Sequence, residues 1–472
     1  MRSRVEKIGL IGLGLIAGVL VSMHFAAVAE KDGVSALPIE ELHSFAEVFG
    51  RIKSDYVEPV SDKKLITEAI SGMLSGLDPH SAYLDAESFK ELQVGTQGEF
   101  GGLGIEVSME DGLVKVISPI EDTPAYNAGI MSGDLIIKLD DTLVKGISLN
   151  TAVKKMRGKP GSNIVLTILR KPEPKPLLIT VTRAVIKVQS VKSRLVEPGY
   201  AYLRITQFQE QTGQNMATAL EKLLKESKGT LQGLVLDMRN NPGGLLTGSV
   251  GVSAAFLPKD SLVVYTEGRT EDAKMRLNAT ASDYLRGTGQ SDYLKNLPAA
   301  YQTVPMVVLI NGGSASASEI VAGALQDHKR AVIMGTQSFG KGSVQTILPL
   351  GNNTAIKLTT ARYFTPNGRS IQATGIVPDI IAEDPTTSAQ DNAFRLREAD
   401  LDHHLSNGNN KGEPEAPAKP VITPKAAPKT KDDKNKDDDS DKPKITEFGS
   451  KNDYQLNQAL NLLKGMHILQ GK

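Results

Sequence analysis

Met306-Val307-Val308-Leu309-Ile310 is an unbroken apolar run that ends at Asn311-Gly312-Gly313, after which Ser318-Glu319-Ile320-Val321-Ala322 opens a helical pattern. A strand with no polar alternation has no solvent face, so it must be buried on both sides. Leu234-Val235-Leu236 reads the same way and runs into another glycine-rich turn, Asn240-Asn241-Pro242-Gly243-Gly244. Buried strand, tight turn and helix, repeated, make this part of the chain α/β. With 472 residues there is material for about three domains. Lys+Arg 54 against Asp+Glu 54 leaves no net charge to draw the chain to nucleic acid. Cysteine is absent, which excludes disulfides, thiolate metal sites and a cysteine nucleophile.

The N-terminus predicts export. Arg2, Arg4 and Lys7 precede an apolar run over residues 8–21, followed by Ala27-Val28-Ala29. A basic start, a short apolar run and a small-x-small end describe a signal peptide. The run falls short of the ~20 residues that span a bilayer. The mature chain is expected in the periplasm, soluble if the signal is cleaved and membrane-associated if it is retained. The predicted organisation is a signal peptide over 1–29, a helical N-terminal arm for scaffolding or dimerisation over 30–93, a β-rich module over 94–185, and an α/β core over 186–385. A Pro/Lys/Asp-rich tether over 386–451 and an amphipathic helix over 452–472 follow, the helix read as a docking or self-assembly element. The fold class is α/β (α+β), multidomain.

Within 94–185, Gly102-Leu103-Gly104-Ile105, Ser118-Pro119, Pro124-Ala125, Ala128-Gly129 and Gly133-Asp134-Leu135-Ile136 resemble a PDZ domain. Successive backbone N–H groups at Leu103, Gly104 and Ile105 form a concavity for a carboxylate. A peptide entering there adds a strand to the sheet edge, with residues 151–156 as the helical far wall. The partners this implies are proteins with exposed C-terminal tails.

Around Ser316, over Ser314-Ala315-Ser316 and Ser318, a strand–turn–helix layout places a serine at a helix start beside unpaired N–H groups, which favour developing negative charge. Serine at a helix start is also an ordinary N-cap, and the turn alone does not separate the two readings. A nucleophile needs a base. His328 lies twelve residues along the same helix, about 18 Å away, and His80 stands in the helical arm without supporting context. Lys341, in Gly335-Thr336-Gln337-Ser338-Phe339-Gly340-Lys341-Gly342-Ser343-Val344-Gln345, is better placed, provided burial keeps it neutral. A phosphate-binding loop is rejected because Gly342 replaces the hydroxyl that would hold magnesium. Ser338–Lys341 matches S-x-x-K, but glycines break the helix that motif needs and no S-D-N or K-T-G occurs. No H-E-x-x-H or clustered metal spacing appears, so neither metal nor cofactor is expected.

The order of these segments, together with Asp237-Met238-Arg239-Asn240-Asn241-Pro242-Gly243-Gly244-Leu245 and Thr365-Pro366-Asn367-Gly368-Arg369, resembles the carboxyl-terminal processing peptidases, or tail-specific proteases. The resemblance implies a crotonase-like serine-protease core with Ser316 as nucleophile, Lys341 as base and Gln345 orienting the amine. Ala317, first in the helix, is expected to donate its N–H to the oxyanion. A second donor is expected from Gly244 or Gly243, the resemblance favouring Gly244. Arg157 matches a basic position linking PDZ domain and core, against the simpler reading of a solvated arginine at a helix end. The helical arm and the terminal helix point to a homo-oligomer, and the resemblance implies, in some relatives, a tetratricopeptide-repeat lipoprotein adaptor and cell-wall hydrolases as substrates. Direct contact between Gln345 and Lys341 requires a turn at 342–344, because a straight strand would set their α-carbons ~13 Å apart. The rival function is a silent PDZ scaffold.

Overall fold

The computed structural model describes residues 37–120, 123–170, 173, 175–187, 189–285, 290–383, 397–407 and 449–470. The signal peptide and most of the tether lie outside the described residues. The chain divides into two units, 1–70 and 71–472. In the first, the helix Ile39–Asp55 has no buried residue; Phe45, Val48 and Ile52 are exposed along it.

The second unit is built on a sheet of six strands. Its strands are β1 (Val191–Glu197), β2 (Tyr200–Ile205), β3 (Gly233–Asp237), β4 (Met306–Ile310), β5 (Val332–Gly335) and β8 (Ile380–Ile381), side by side in that order. The β1–β2 pair is antiparallel and the rest are parallel. Every residue of β3 and β4 is buried. Alternation explains why both are apolar on both faces, up to the buried, ion-paired Asp237 that ends β3. Leu234, Leu236, Met306, Val308 and Ile310 pack against α1 (Thr212–Glu226), α2 (Leu246–Ala254) and α3 (Ala317–Asp327). Val235, Val307 and Leu309 face the other way, onto Leu456, Ala459, Leu460 and Leu463 of α4 (Tyr454–Gln470).

That second layer corrects the reading of the terminal helix as a docking element. Its apolar face is occupied by the protein's own sheet, because without it one side of β3 and β4 would meet water. The tether reading also changes in part. Residues 397–407 are ordered, and Glu398 is wholly buried.

A second sheet joins β6 (Ser343–Pro349) and β7 (Ala355–Phe364) to Leu262–Gly268, Arg276–Asn278 and Ala82–Leu84. The segment read as a helical arm thus supplies a strand, Ala82 pairing with Lys357. Three residues are too few for periodicity to register.

The PDZ-like module folds around a core of its own, including Leu103, Val114, Ile136, Leu166 and Ile168. Its strand Ile105–Glu110 ends the sheet order and pairs on one side only. The helix Leu149–Met156 starts at Ser148, whose hydroxyl accepts from Thr151 N. A two-stranded ribbon, Glu99–Gly102 with Ala184–Lys187, closes the module's ends. Just before it, Gly98 (φ 74°) ends the helix Ala86–Gln97 against the Gln209 side chain. The next residue, Glu210, donates from its N to Thr96 O at 3.1 Å.

Candidate active site

Ser316 is held at φ 54°, ψ −112°, between the end of β4 and the start of α3. An ordinary N-cap residue sits in the extended region. A serine forced to positive φ is strained by roughly 1–3 kcal/mol, and such strain persists only where the surroundings impose it. A sharp strand-to-helix turn of this kind lifts a serine hydroxyl clear of the backbone in α/β-hydrolases.

The surroundings responsible are visible. Asn241, buried, accepts Ala315 N at 3.0 Å and Ser318 Oγ at 2.9 Å on its carbonyl. Asn311 Oδ1 accepts Asn240 N at 2.8 Å, and Ser314 Oγ donates to Met238 O at 2.8 Å. The turn after β3 and the turn after β4 are therefore laced together. Gly243 lies so close that a Cβ there would meet Ala315 O at 2.7 Å and Ala317 N at 2.9 Å.

Glu319, in the first turn of α3, is fully buried and accepts four hydrogen bonds. Ser338 Oγ and Gly340 N donate to Oε1 at 2.6 and 2.7 Å. Ser316 N and Lys341 N donate to Oε2 at 2.7 and 3.0 Å. One carboxylate oxygen thus ties the backbone of the serine to that of the lysine. Tyr363, fully buried on β7, adds a second tie, its hydroxyl contacting both Ser316 O and Lys341 O. Burial pushes Glu319 up to about 7 against its four donors, and pushes the Tyr363 phenol upward too.

Burial also lowers the Lys341 ammonium to about 8; Lys357 adds like-charge repulsion, and Glu398, Glu319 and Asp78 oppose it. Behind the lysine loop, Gln372 Oε1 accepts Gly342 N at 2.9 Å while Gln372 Nε2 donates to Glu398 Oε1 at 2.9 Å. His80 Nε2 lies 2.8 Å from Glu398 Oε2, so its ring faces Glu398. Burial opposes ionisation of Glu398, but the His80 and Gln372 bonds outweigh it and hold its carboxyl below the ordinary value. His328 Nε2 is engaged by Leu262 O at 2.7 Å.

Gln345 departs from expectation. Ser343 and Val344 are extended, opposite Arg362 and Ala361, with the register slipping between Val344 and Gln345. Gln345 Nε2 donates to Ser343 Oγ at 3.0 Å and Thr359 Oγ1 at 3.2 Å, not toward Lys341 as a turn at 342–344 would have allowed. Pairing with the long strand β7 decides this backbone.

Two N–H groups near Ser316 have no partner among the described residues: Ala317, first in α3, and Gly244. Gly243 N is engaged by Asn241 Oδ1 at 2.9 Å, which removes it as a donor. Gly244 (φ 141°) abuts Phe208, whose carbonyl a Cβ would meet at 2.1 Å. Phe208 N donates to Gly243 O at 2.9 Å, and Leu245 N donates to Phe208 O at 2.9 Å.

In the PDZ-like loop, Leu103 O accepts Ala125 N at 2.9 Å and Gly104 O accepts Ile120 N at 2.8 Å, fixing Leu103, Gly104 and Ile105 at the head of the open strand. Arg157 is exposed where the helix Leu149–Met156 ends, and its guanidinium lies 4.5 Å from the Phe100 ring centroid, on the ribbon leading out of the module. It is therefore stacked rather than merely solvated.

Sequence reasoning missed Glu319, Tyr363, Gln372 and Glu398. Only Glu319 carried a signal, since Ser316-Ala317-Ser318-Glu319 fits the S-x-x-E of a capping box.

Comparison with known proteins agrees with this architecture. Residues 199–382 match the model of peptidase family S41, residues 101–181 that of a PDZ domain, and residues 20–88 that of the activating protease CtpB N-terminal domain. The chain is 44% identical to a carboxy-terminal-processing protease of Bartonella bacilliformis, over 95% of both chains. It is 35% identical to the carboxy-terminal processing protease CtpB of Bacillus subtilis, over 79% of this chain and 75% of that one. Such identity over nearly the whole length places the chain in the carboxy-terminal processing proteases of peptidase family S41, serine-type peptidases with a PDZ domain.

Proposed function

We propose that this protease uses Ser316 as nucleophile and Lys341 as general base, and cleaves proteins whose C-terminal tails the PDZ domain selects. The observation that carries the reading is the strained backbone of Ser316, since a serine that only capped a helix would relax to the extended region. Neutral Lys341 takes the proton from Ser316 Oγ as the oxygen attacks the peptide carbonyl. The N–H groups of Ala317 and Gly244 receive the oxyanion. The lysine then protonates the leaving amine, and water releases the acyl group by the same base. In this conformation Gln345 braces the strand behind Lys341 rather than its amine.

A tail would enter at Leu103, Gly104 and Ile105 and extend the sheet along Ile105–Glu110. Arg157, stacked on Phe100, would carry the bound state to the ribbon. The basic, apolar and small-x-small start supports action in the periplasm. The helical arm extends the proposal to homo-oligomers, and family resemblance extends it to a tetratricopeptide-repeat lipoprotein adaptor and turnover of cell-wall hydrolases. Ser316→Ala and Lys341→Ala, assayed as purified folded proteins on peptides with free C-termini, are expected to lose at least about 10³-fold in kcat. A serine-directed phosphonate should label Ser316 in the unmodified protein. Substantial cleavage by folded Ser316→Ala would overturn the assignment.

A further inference from the structure

Arg239 lies two residues beyond β3, at the root of the turn that carries Gly244, and is almost wholly buried. Its guanidinium has five N–H donors, and five bonds account for them. Nε and Nη2 donate to Asp237 at 3.0 and 2.7 Å. Nη1 and Nη2 donate to Asp453 at 2.9 and 2.6 Å, and Nη1 also to Gln455 Oε1 at 2.9 Å. Three of the five therefore come from the start of α4, more than two hundred residues further along the chain.

Asp453 is itself held rigidly. Its carboxylate accepts Gly449 N at 2.8 Å and Leu456 N at 3.1 Å. Gln455 Nε2 donates to Ala382 O at 2.6 Å, at the far edge of the sheet. Arg204 Nη1 stands 3.1 Å from Asp237 Oδ2, so two arginines balance two aspartates. Removing one partner of a buried, balanced set leaves a charge unpaired and is costly.

From Arg239 the connection to the reacting groups is short. Asn240 and Asn241 follow directly, and they hold the Ser316 turn. Gly243 and Gly244 come next. We infer that Asp453 is a positioning residue for catalysis: it locks Arg239, and Arg239 fixes the turn that presents Gly244 to the oxyanion and braces Ser316. The terminal segment is thereby a working part of the active site and not an appendage. This rests on the reading of Ser316 and Gly244 given above.

The test is full-length Asp453→Asn, compared with the unmodified protein at a temperature where thermal unfolding shows both folded. kcat on a peptide substrate is expected to fall by about 10-fold or more, short of the ~10²–10³ lost when an oxyanion donor is deleted outright. KM and binding of a C-terminal peptide by the PDZ domain should stay within about twofold, because neither site touches Asp453. Phosphonate labelling of Ser316 should slow in step with kcat. Folded Asp453→Asn with unmodified kcat overturns the inference, and so does a loss matched by the unfolded fraction. Should Asp453→Asn not fold, Gln455→Ala decides: it removes one of the five bonds and is expected to lower kcat by a smaller factor, an unchanged kcat being fatal. An unmodified protein that neither cleaves nor labels would instead refute the Ser316 reading itself.

Discussion

If Lys341 is the base, as proposed, its local environment sets the working pH. With burial holding the amine at about 8, the neutral base is the minor form below that value and dominant above it. kcat/KM should therefore climb about tenfold per pH unit on the acid side and level off above about 8. Lys357 pushes in the same direction as burial, so Lys357→Met should raise the lysine's pKa and move the whole profile to higher pH. A profile unmoved by that substitution would show that some other group limits the rate. Glu319 offers a second residue-scale test. Glu319→Gln keeps the shape but turns one carboxylate oxygen into an NH2 that cannot accept, so two of the four donors lose their acceptor and the other two lose charge-assisted bonds worth ~1.5–3 kcal/mol each. A fall in kcat of about 10- to 100-fold is expected, with the fold retained by circular dichroism. The strained turn at Ser316 and the buried loop of Lys341 lie in contiguous motifs, which is why both stood out in the sequence. Glu319 was on the page as S-x-x-E but read only as a helix opening. The turn expected before Gln345 is absent because spacing alone cannot say that β7 would hold this backbone extended. Glu398 gave no signal, since its partners His80 and Gln372 are distant in sequence.

At the scale of elements, β3, β4 and the helices after them could be read from apolar runs ending in glycine turns. The apolar stripe of α4 was equally legible, at Leu456, Ala459, Leu460 and Leu463. What covers such a stripe was not, because periodicity reveals that a face exists and not its partner. Leu463 is wholly buried there, so Leu463→Ala should destabilise the second unit by ~2–5 kcal/mol, measured as a lower thermal or urea midpoint. Unchanged stability would mean that α4 is peripheral to the core. The stretch 208–210 illustrates a different kind of economy. Phe208 bonds both sides of the Gly243–Gly244 turn while Glu210 bonds Thr96, just before the PDZ ribbon. Three consecutive residues thus touch the candidate oxyanion turn and the root of the peptide-binding module.

For the whole molecule, the PDZ module and the protease core were legible from changes of texture along the chain. The interleaving was not: Ala82–Leu84 joins the second sheet, and residues from 397–407 and 449–470 pack with the core. Export is the remaining prediction at this scale. Sequencing the N-terminus of protein recovered from the periplasm should find a chain beginning at residue 30, and a start at Met1 would favour a retained anchor.

A ribosome delivers Asp453 more than two hundred residues after Arg239. Until then Arg239 has one carboxylate instead of two, and one side of the central sheet is bare. A nascent or prematurely ended chain would therefore carry its serine and lysine without the bracing they need. If Asp453 positions the site as inferred, the order of synthesis itself delays the cutting edge until α4 has been made.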